Sequence, residues 1–226
     1  MPDGQYSFYL HSDDRTDIAA MATISTISQP LRGEFIRTAA TAGAVVYQVD
    51  ARLPALIPVF FAGQLSAVRL CAVMALVSGT WSSLTGLPDE PENGEAALPV
   101  SPETEYQRRR YTLTLQNGRS GERVESVLTE ASSRLRGDLL RNLIITGLAL
   151  HTTAPELPRL LASMPVPPTS VSELQALVQQ MAGTADVNRA AAAVPDTPTA
   201  SAAPVSGSDT REIKKNMRGT VANSRW

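Results

Sequence analysis

LRGEFIRTAATAGAVVYQVDARLPALIP, residues 31–58, and LRGDLLRNLIITGLALHTTAPELPRLLA, residues 135–162, are two versions of one segment set 104 positions apart. Eight of the 28 aligned positions are identical: Leu31/Leu135, Arg32/Arg136, Gly33/Gly137, Arg37/Arg141, Gly43/Gly147, Leu53/Leu157, Pro54/Pro158 and Leu56/Leu160. Identity at this density without a gap identifies a duplicated module, and a repeat constrains the fold before any single element does.

The similarity continues upstream with small slips. YSFYL at residue 6 pairs with YTLTL at residue 111, and Ile18, Met21 and Ala22 pair with Val124, Val127 and Leu128. Each copy therefore reads as a short strand, a loop, a helix, a turn, a longer helix and a Pro-punctuated helical extension. Period-two alternation in the strands sets Tyr6, Phe8 and Leu10 against Gln5, Ser7, Tyr9 and His11, and Tyr111, Leu113 and Leu115 against Arg110, Thr112, Thr114 and Gln116. One short strand per copy has no independent stability, so the two strands pair with each other or with another chain.

The first helix of each copy carries a spaced apolar stripe, Ile18, Met21 and Ile24 or Val124, Val127, Leu128 and Ala131. The second, Phe35 through Val46 or Leu139 through Leu150, is apolar nearly all round, as befits the centre of the module. Further on, SVSELQALVQQM places Ser170 as N-cap with Glu173 three positions later, followed by Leu174, Leu177, Val178 and Met181 on one face. The predicted organisation is a first module over 1–83, an acidic Pro-rich linker over 84–107, a second module over 108–183 and a disordered tail over 184–226 with a short basic terminal motif.

A chain of 226 residues with 43% hydrophobic content has enough apolar side chain for one or two small cores. The net charge of -2 hides an uneven distribution. Asp89, Glu90, Glu92, Glu95, Glu103 and Glu105 crowd the linker, and Arg108, Arg109 and Arg110 follow at once. The lone Cys71 reads as a small buried hydrophobe in a reducing cytosol, so a cytoplasmic location is expected. The start MPDGQYSFYLHSDD does not read as a secretion signal, and Pro58, Gly63, Gln64 and Arg69 interrupt the apolar stretch 57–79 too often for a membrane span. His11 and His151 have no ligand cluster around them, and no phosphate-cradling Gly-rich loop or nucleophile elbow is present. No enzyme activity, cofactor or metal is expected.

Strand, helix, helix, with an LRGxxxR opening to the second helix, resembles the ribbon-helix-helix proteins. RLRGDLLRNLIITGLALHTTAPELPRLLASM followed by TSVSELQALVQQM is further similar to the ParR/StbB family, DNA-binding adaptors of plasmid partition systems driven by an actin-like filament protein. The resemblance covers about residues 108–182 closely and 5–80 more loosely. It implies a mainly α fold in which two tandem ribbon-helix-helix modules, each with a helical cap, pair their strands into an antiparallel ribbon.

It also implies double-stranded DNA, in centromere-like repeats, as partner. A two-stranded ribbon fits the major groove, where outward side chains meet base edges. Thr112, Thr114 and Gln116, with Gln5, Ser7 and Tyr9 opposite, become the base-contacting candidates, while Arg108, Arg109 and Arg110 meet phosphates and Arg110 lies within reach of a guanine. Arg32/Gly33 and Arg136/Gly137 open the second helices, whose unpaired N–H groups attract phosphate. In the terminal REIKKNMRGTVANSRW, the resemblance implies a docking peptide for an actin-like ParM-type filament protein, with Ile213, Lys214, Lys215, Met217, Arg218 and Trp226 as contacts.

The family normally has one module per chain, so the tandem copy is a departure; conjugation accessory proteins of the TraY type do carry two. Either the strands pair within the chain as a pseudo-dimer, or between chains as a dimer with two ribbons. A 24-residue linker spans roughly 25 to 30 Å as a flexible coil, enough for the first arrangement. From Tyr106 to Arg141 there are eight arginines against four acids, while residues 1–60 hold four against six. The first copy is thus expected to complete the ribbon and the second to dominate affinity. The alternatives are a TraY-like relaxosome accessory protein, a simple repressor, and a scaffold that uses the module only to assemble.

Overall fold

In a computed structural model of the chain, residues 4–80 and 108–192 are described, the last nine by backbone alone. The first copy contains β1 (Gln5–His11), α1 (Arg15–Ser25), α2 (Gln29–Val49), α3 (Leu53–Phe60) and α4 (Ala67–Ser78). The second repeats that order as β2 (Arg108–Thr114), α5 (Arg119–Glu130), α6 (Arg136–Thr153), α7 (Leu157–Ser163) and α8 (Val171–Ala192). The described residues are thus mainly helical, with one two-stranded sheet. The expected linker at 84–107 lies outside them.

Local chemistry sets most boundaries. Asp14 caps α1 by accepting from the N–H groups of Thr16 at 2.8 Å and Asp17 at 3.1 Å. Pro30 sits in the first turn of α2, and α4 closes on Gly79 with φ 71°, the left-handed conformation that favours glycine. The capping box expected before α8 forms: the Glu173 N–H donates to Ser170 Oγ at 3.2 Å, and Glu173 accepts from the Thr169 N–H at 2.8 Å. That helix continues to Ala192, past Gly183 where the sequence reading ended it; the Ala-rich continuation after Gly183 is compatible with helix.

The strands pair with each other within the chain, antiparallel, from Gln5 opposite Thr114 to His11 opposite Arg108. Beneath them the two long helices cross. An added Cβ on Gly43 would collide with the backbone of Leu143, and one on Gly147 with the backbone of Ala39. Ala39 and Leu143 are themselves a matched pair in the 104-residue repeat, as are Gly43 and Gly147. Each helix therefore meets its counterpart through the same two positions, which makes the unit a pseudo-dimer about one axis. Phe8, Leu10, Leu113 and Leu115 seal the core from the ribbon side, Val124, Val127 and Leu128 from α5, and Leu70, Met74, Leu174 and Val178 join α4 to α8 at the other end.

The repeat is more regular in space than in the sequence alignment. The buried residues Ala20 and Ile24 of α1 lie 104 positions from the buried Val124 and Leu128 of α5, so the expected pairing of Ile18 and Met21 with Val124 and Val127 is displaced by two. One extra residue between β1 and α1 changes the offset from 105 in the strands to 104 in the helices. Leu10 is four residues from the cap Asp14, whereas its match Leu115 is three from the cap Gly118.

One polar cluster ties the ribbon to the core. Asp17 is fully buried; it accepts from the His11 N–H at 2.8 Å and from Arg141 Nε at 2.6 Å, and Arg141 also holds Asp14 at 3.1 Å. Burial pushes the Asp17 carboxyl above the usual 3.8, against the opposing pull of the His11 N–H and Arg141.

Gly43→Ala and Gly147→Ala are each expected to cost about 1–3 kcal/mol in urea unfolding, because a methyl at the crossing forces the helices apart. Thr146→Val, which removes a buried hydroxyl without a hydrogen-bond partner, is expected to be neutral or stabilising. Arg141→Met is expected to cost about 3 kcal/mol at neutral pH by leaving the Asp17 carboxylate buried and unpaired. The folded state then holds a proton that the unfolded state lacks at pH values above 3.8, so stability of that variant rises on acidification toward pH 5 and Asp17→Asn restores it at neutral pH.

Candidate nucleic-acid interface

The register places side chains as the alternation predicts. Gln5, Ser7, Tyr9 and His11 share one face with Thr114, Thr112, Arg110 and Arg108, and Gln116 continues that parity beyond β2. The opposite face carries Tyr6, Phe8, Leu10, Tyr111 and Leu113, with the Phe8 and Tyr111 rings stacked 5.2 Å apart. Burial raises the Tyr111 phenol above its ordinary pKa of 10.0, consistent with a ring that supports the ribbon from beneath.

On the outward face the arginines lie across the ribbon. Arg110 donates to Ser7 Oγ through Nε at 3.2 Å and Nη2 at 2.9 Å, and the Arg108 guanidinium sits 3.5 Å from the centre of the Tyr9 ring. Neither guanidinium pairs with a carboxylate among the described residues. The cations crowd one end of the face, where β2 begins, while Gln5, Ser7, Thr112 and Thr114 leave the other end small and neutral. Arg109 departs from its neighbours: it is opposite Leu10, on the inward parity, and its guanidinium is 5.3 Å from the Tyr111 ring. The three arginines do not form one outward cluster, because alternation turns the middle one away.

The helix openings that flank the ribbon also differ in detail from expectation. Arg32 donates from Nε to the Ile27 carbonyl at 2.7 Å and from Nη2 to that of Ser25 at 3.2 Å; Arg136 donates from Nε to Ala131 at 3.2 Å. Both arginines reach back five residues to close the preceding helix, a matched role in the two copies that explains their identity without an external ligand. Gly33 and Gly137 are not required by packing. An added Cβ would meet Arg37 Nη1 at 3.7 Å in one case and the Ser7 carbonyl oxygen at 3.5 Å in the other, both ordinary contacts. Leu31 and Leu135, just before them, are 60% and 58% exposed, an apolar pair on the ribbon's flanks that the sequence reading passed over although their identity in the repeat marked them.

The remaining sequence expectations fall elsewhere. His151 contacts the Pro155 carbonyl through Nδ1 at 3.1 Å and stands edge-on to Phe35 at 4.9 Å, part of the junction after α6. Cys71 is buried, and burial raises its thiol pKa. Ile213, Lys214, Lys215, Met217, Arg218 and Trp226 lie outside the described residues. No helix among the described residues is long and apolar enough to cross a membrane, and no group of acidic, His or Cys side chains there has the arrangement of a metal site.

The profile of the plasmid stability protein family matches the chain twice, over residues 4–74 and 109–178, and each match coincides with one strand-and-helices copy. The chain belongs to the plasmid stability protein family. The two matches together span more than half of the chain, and their bounds start at the two strands of the ribbon. No curated protein and no solved structure matches it.

Replacing Gln5, Ser7, Thr112 or Thr114 by alanine is expected to change stability by no more than about 0.5 kcal/mol, whereas Leu113→Ala is expected to cost about 2–5 kcal/mol. Equal costs on the two faces in chemical denaturation would reverse the assignment of the outward face.

Proposed function

We propose that this plasmid stability protein is a non-catalytic partition adaptor, a ribbon-helix-helix pseudo-dimer whose β1–β2 ribbon enters the major groove of centromere-like DNA repeats. The outward face carries the reading: neutral hydrogen-bonding side chains at one end and guanidinium groups without a carboxylate partner among the described residues at the other, on a ribbon stiffened from below. Thr112, Thr114, Gln5 and Ser7 read base edges, Arg110 exchanges its bond to Ser7 for a guanine or a phosphate, and Arg108 meets phosphate. The N–H groups opening α2 and α6 take flanking phosphates, with Gly33 and Gly137 admitting close approach. That packing does not need these glycines supports this role.

The caps give the adaptor a second task. Val59, Phe60, Val68 and Leu76 are exposed on α3 and α4, an apolar surface through which neighbouring units pack on successive repeats. The terminal segment with Ile213, Lys214, Lys215, Met217, Arg218 and Trp226 then presents a cluster of docking peptides to an actin-like ParM-type filament protein. Binding upstream of its own gene makes the protein an autorepressor. Strand pairing within one chain equally suits a TraY-like relaxosome accessory protein, which needs the ribbon but no filament.

The test is fluorescence-polarisation binding of the full chain to duplexes from the DNA upstream of its own gene, against scrambled DNA, across a salt series. Specific, salt-sensitive binding is expected. Arg110→Ala should cost about 1–3 kcal/mol and relax specificity at one base pair, while Arg109→Ala, turned inward, should weaken binding least of the three. No preference over scrambled DNA would remove the adaptor and repressor readings together. Retained DNA binding with no sedimentation alongside filaments would favour the relaxosome reading.

A further inference from the structure

The register of the ribbon locates its pseudo-two-fold axis. Matched strand residues lie 105 positions apart, Tyr6 with Tyr111 and Leu10 with Leu115, and among the paired residues only Ser7 stands opposite its own match, Thr112. The axis therefore passes between these two hydroxyl side chains. Outward from it, Tyr9 and Arg110 form one end of the exposed face with His11 and Arg108, while Gln5 and Thr114 form the other.

Divergence between the copies is concentrated on that face. On the inward side all three matched pairs stay apolar or aromatic: Tyr6/Tyr111, Phe8/Leu113 and Leu10/Leu115. On the outward side only the axial pair keeps its chemistry; Gln5 is matched by Arg110, Tyr9 by Thr114 and His11 by Gln116. Core packing holds the inward positions alike and does not act on the outward ones, where each copy presents its own set. Both cations stay on one half of the ribbon. Arg110 donates to Ser7 Oγ at 2.9 Å, reaching no further than the axis, and the Arg108 guanidinium covers the Tyr9 ring at 3.5 Å.

Base edges in the major groove distinguish two such ends. An arginine donates two hydrogen bonds to guanine O6 and N7, a glutamine pairs with adenine N6 and N7, and the threonine methyl packs on that of thymine. We infer, for a ribbon that enters the major groove as proposed above, that it reads a DNA element with unlike halves in a single orientation: guanine lies under Arg110, and an adenine–thymine pair under Gln5 and Thr114. A dimer of identical strands meets two equal halves. Here the duplication has freed the halves to differ, and Gln5, Tyr9 and Arg110 set the difference.

Selection of duplexes by the full chain from a pool randomised over one helical turn, followed by polarisation binding at fixed salt, tests it. The enriched element is expected to lack two-fold symmetry, to carry guanine in one half, and to bind about tenfold tighter than either palindrome made by mirroring one half. Gln5→Arg combined with Tyr9→Thr gives β1 the outward residues of β2 at both positions. That variant, with cooperative unfolding checked in parallel, should instead prefer the palindrome of the guanine half. A two-fold-symmetric element, or equal affinity for the element and its palindromes, overturns the inference and leaves groove binding intact. A folded variant that keeps the wild-type preference overturns the assignment to Gln5, Tyr9 and Arg110. Enrichment of no sequence removes groove reading itself, and the unlike halves with it.

Discussion

The crossing of α2 and α6 at Gly43 and Gly147 is the contact on which the other packing depends. Two helices carrying large side chains at these positions would stand about 8–10 Å apart. Here the backbones touch, with Gly43 against Leu143 and Gly147 against Ala39. Close approach brings the apolar walls of both long helices into one core and sets the distance between the helix openings that flank the ribbon. It also fixes which strands pair, because β1 and β2 lie over the crossing and each contributes only one strand. A chain with a single copy would need a second molecule to bury the same face.

Duplication in one chain releases the two halves from strict symmetry, and the structure uses that freedom at polar positions more than at apolar ones. The core positions match: Ala20 with Val124, Ile24 with Leu128, Gly43 with Gly147. The charges do not. Arg141 is spent on Asp14 and Asp17, which secures the end of β1, whereas Arg37 is left with Glu34 beside an open cleft. On the ribbon, Arg108 and Arg110 make one end cationic while their counterparts across the axis are absent. A symmetric dimer presents two equal halves; this unit presents two different ones.

The arginines of the repeat show that identity between copies can serve the fold itself. Arg32 and Arg136 each close the helix before them by reaching a carbonyl five residues back. An internal requirement, repeated because the turn is repeated, accounts for them. The adjoining glycines and the exposed Leu31 and Leu135 have no such internal duty, and they are the positions at the helix openings that remain available to a ligand.

The sequence by itself determined the duplication, the order of elements, the two faces of each strand and the capping box before α8. These follow from periodicity and local hydrogen-bonding chemistry, which act over a few residues. It misplaced the register of α1 by two residues, and the packing that keeps Ala20 and Ile24 inside sets the true one. It also grouped Arg109 with its neighbours, although its own alternation rule already turned that residue inward. Only the tertiary structure decided that β1 pairs with β2 of the same chain, that Arg141 crosses from α6 to Asp14 and Asp17, and that Arg37 does not. These partners are 97 to 127 residues apart, and geometry at the helix crossing, not spacing along the chain, brings them within reach.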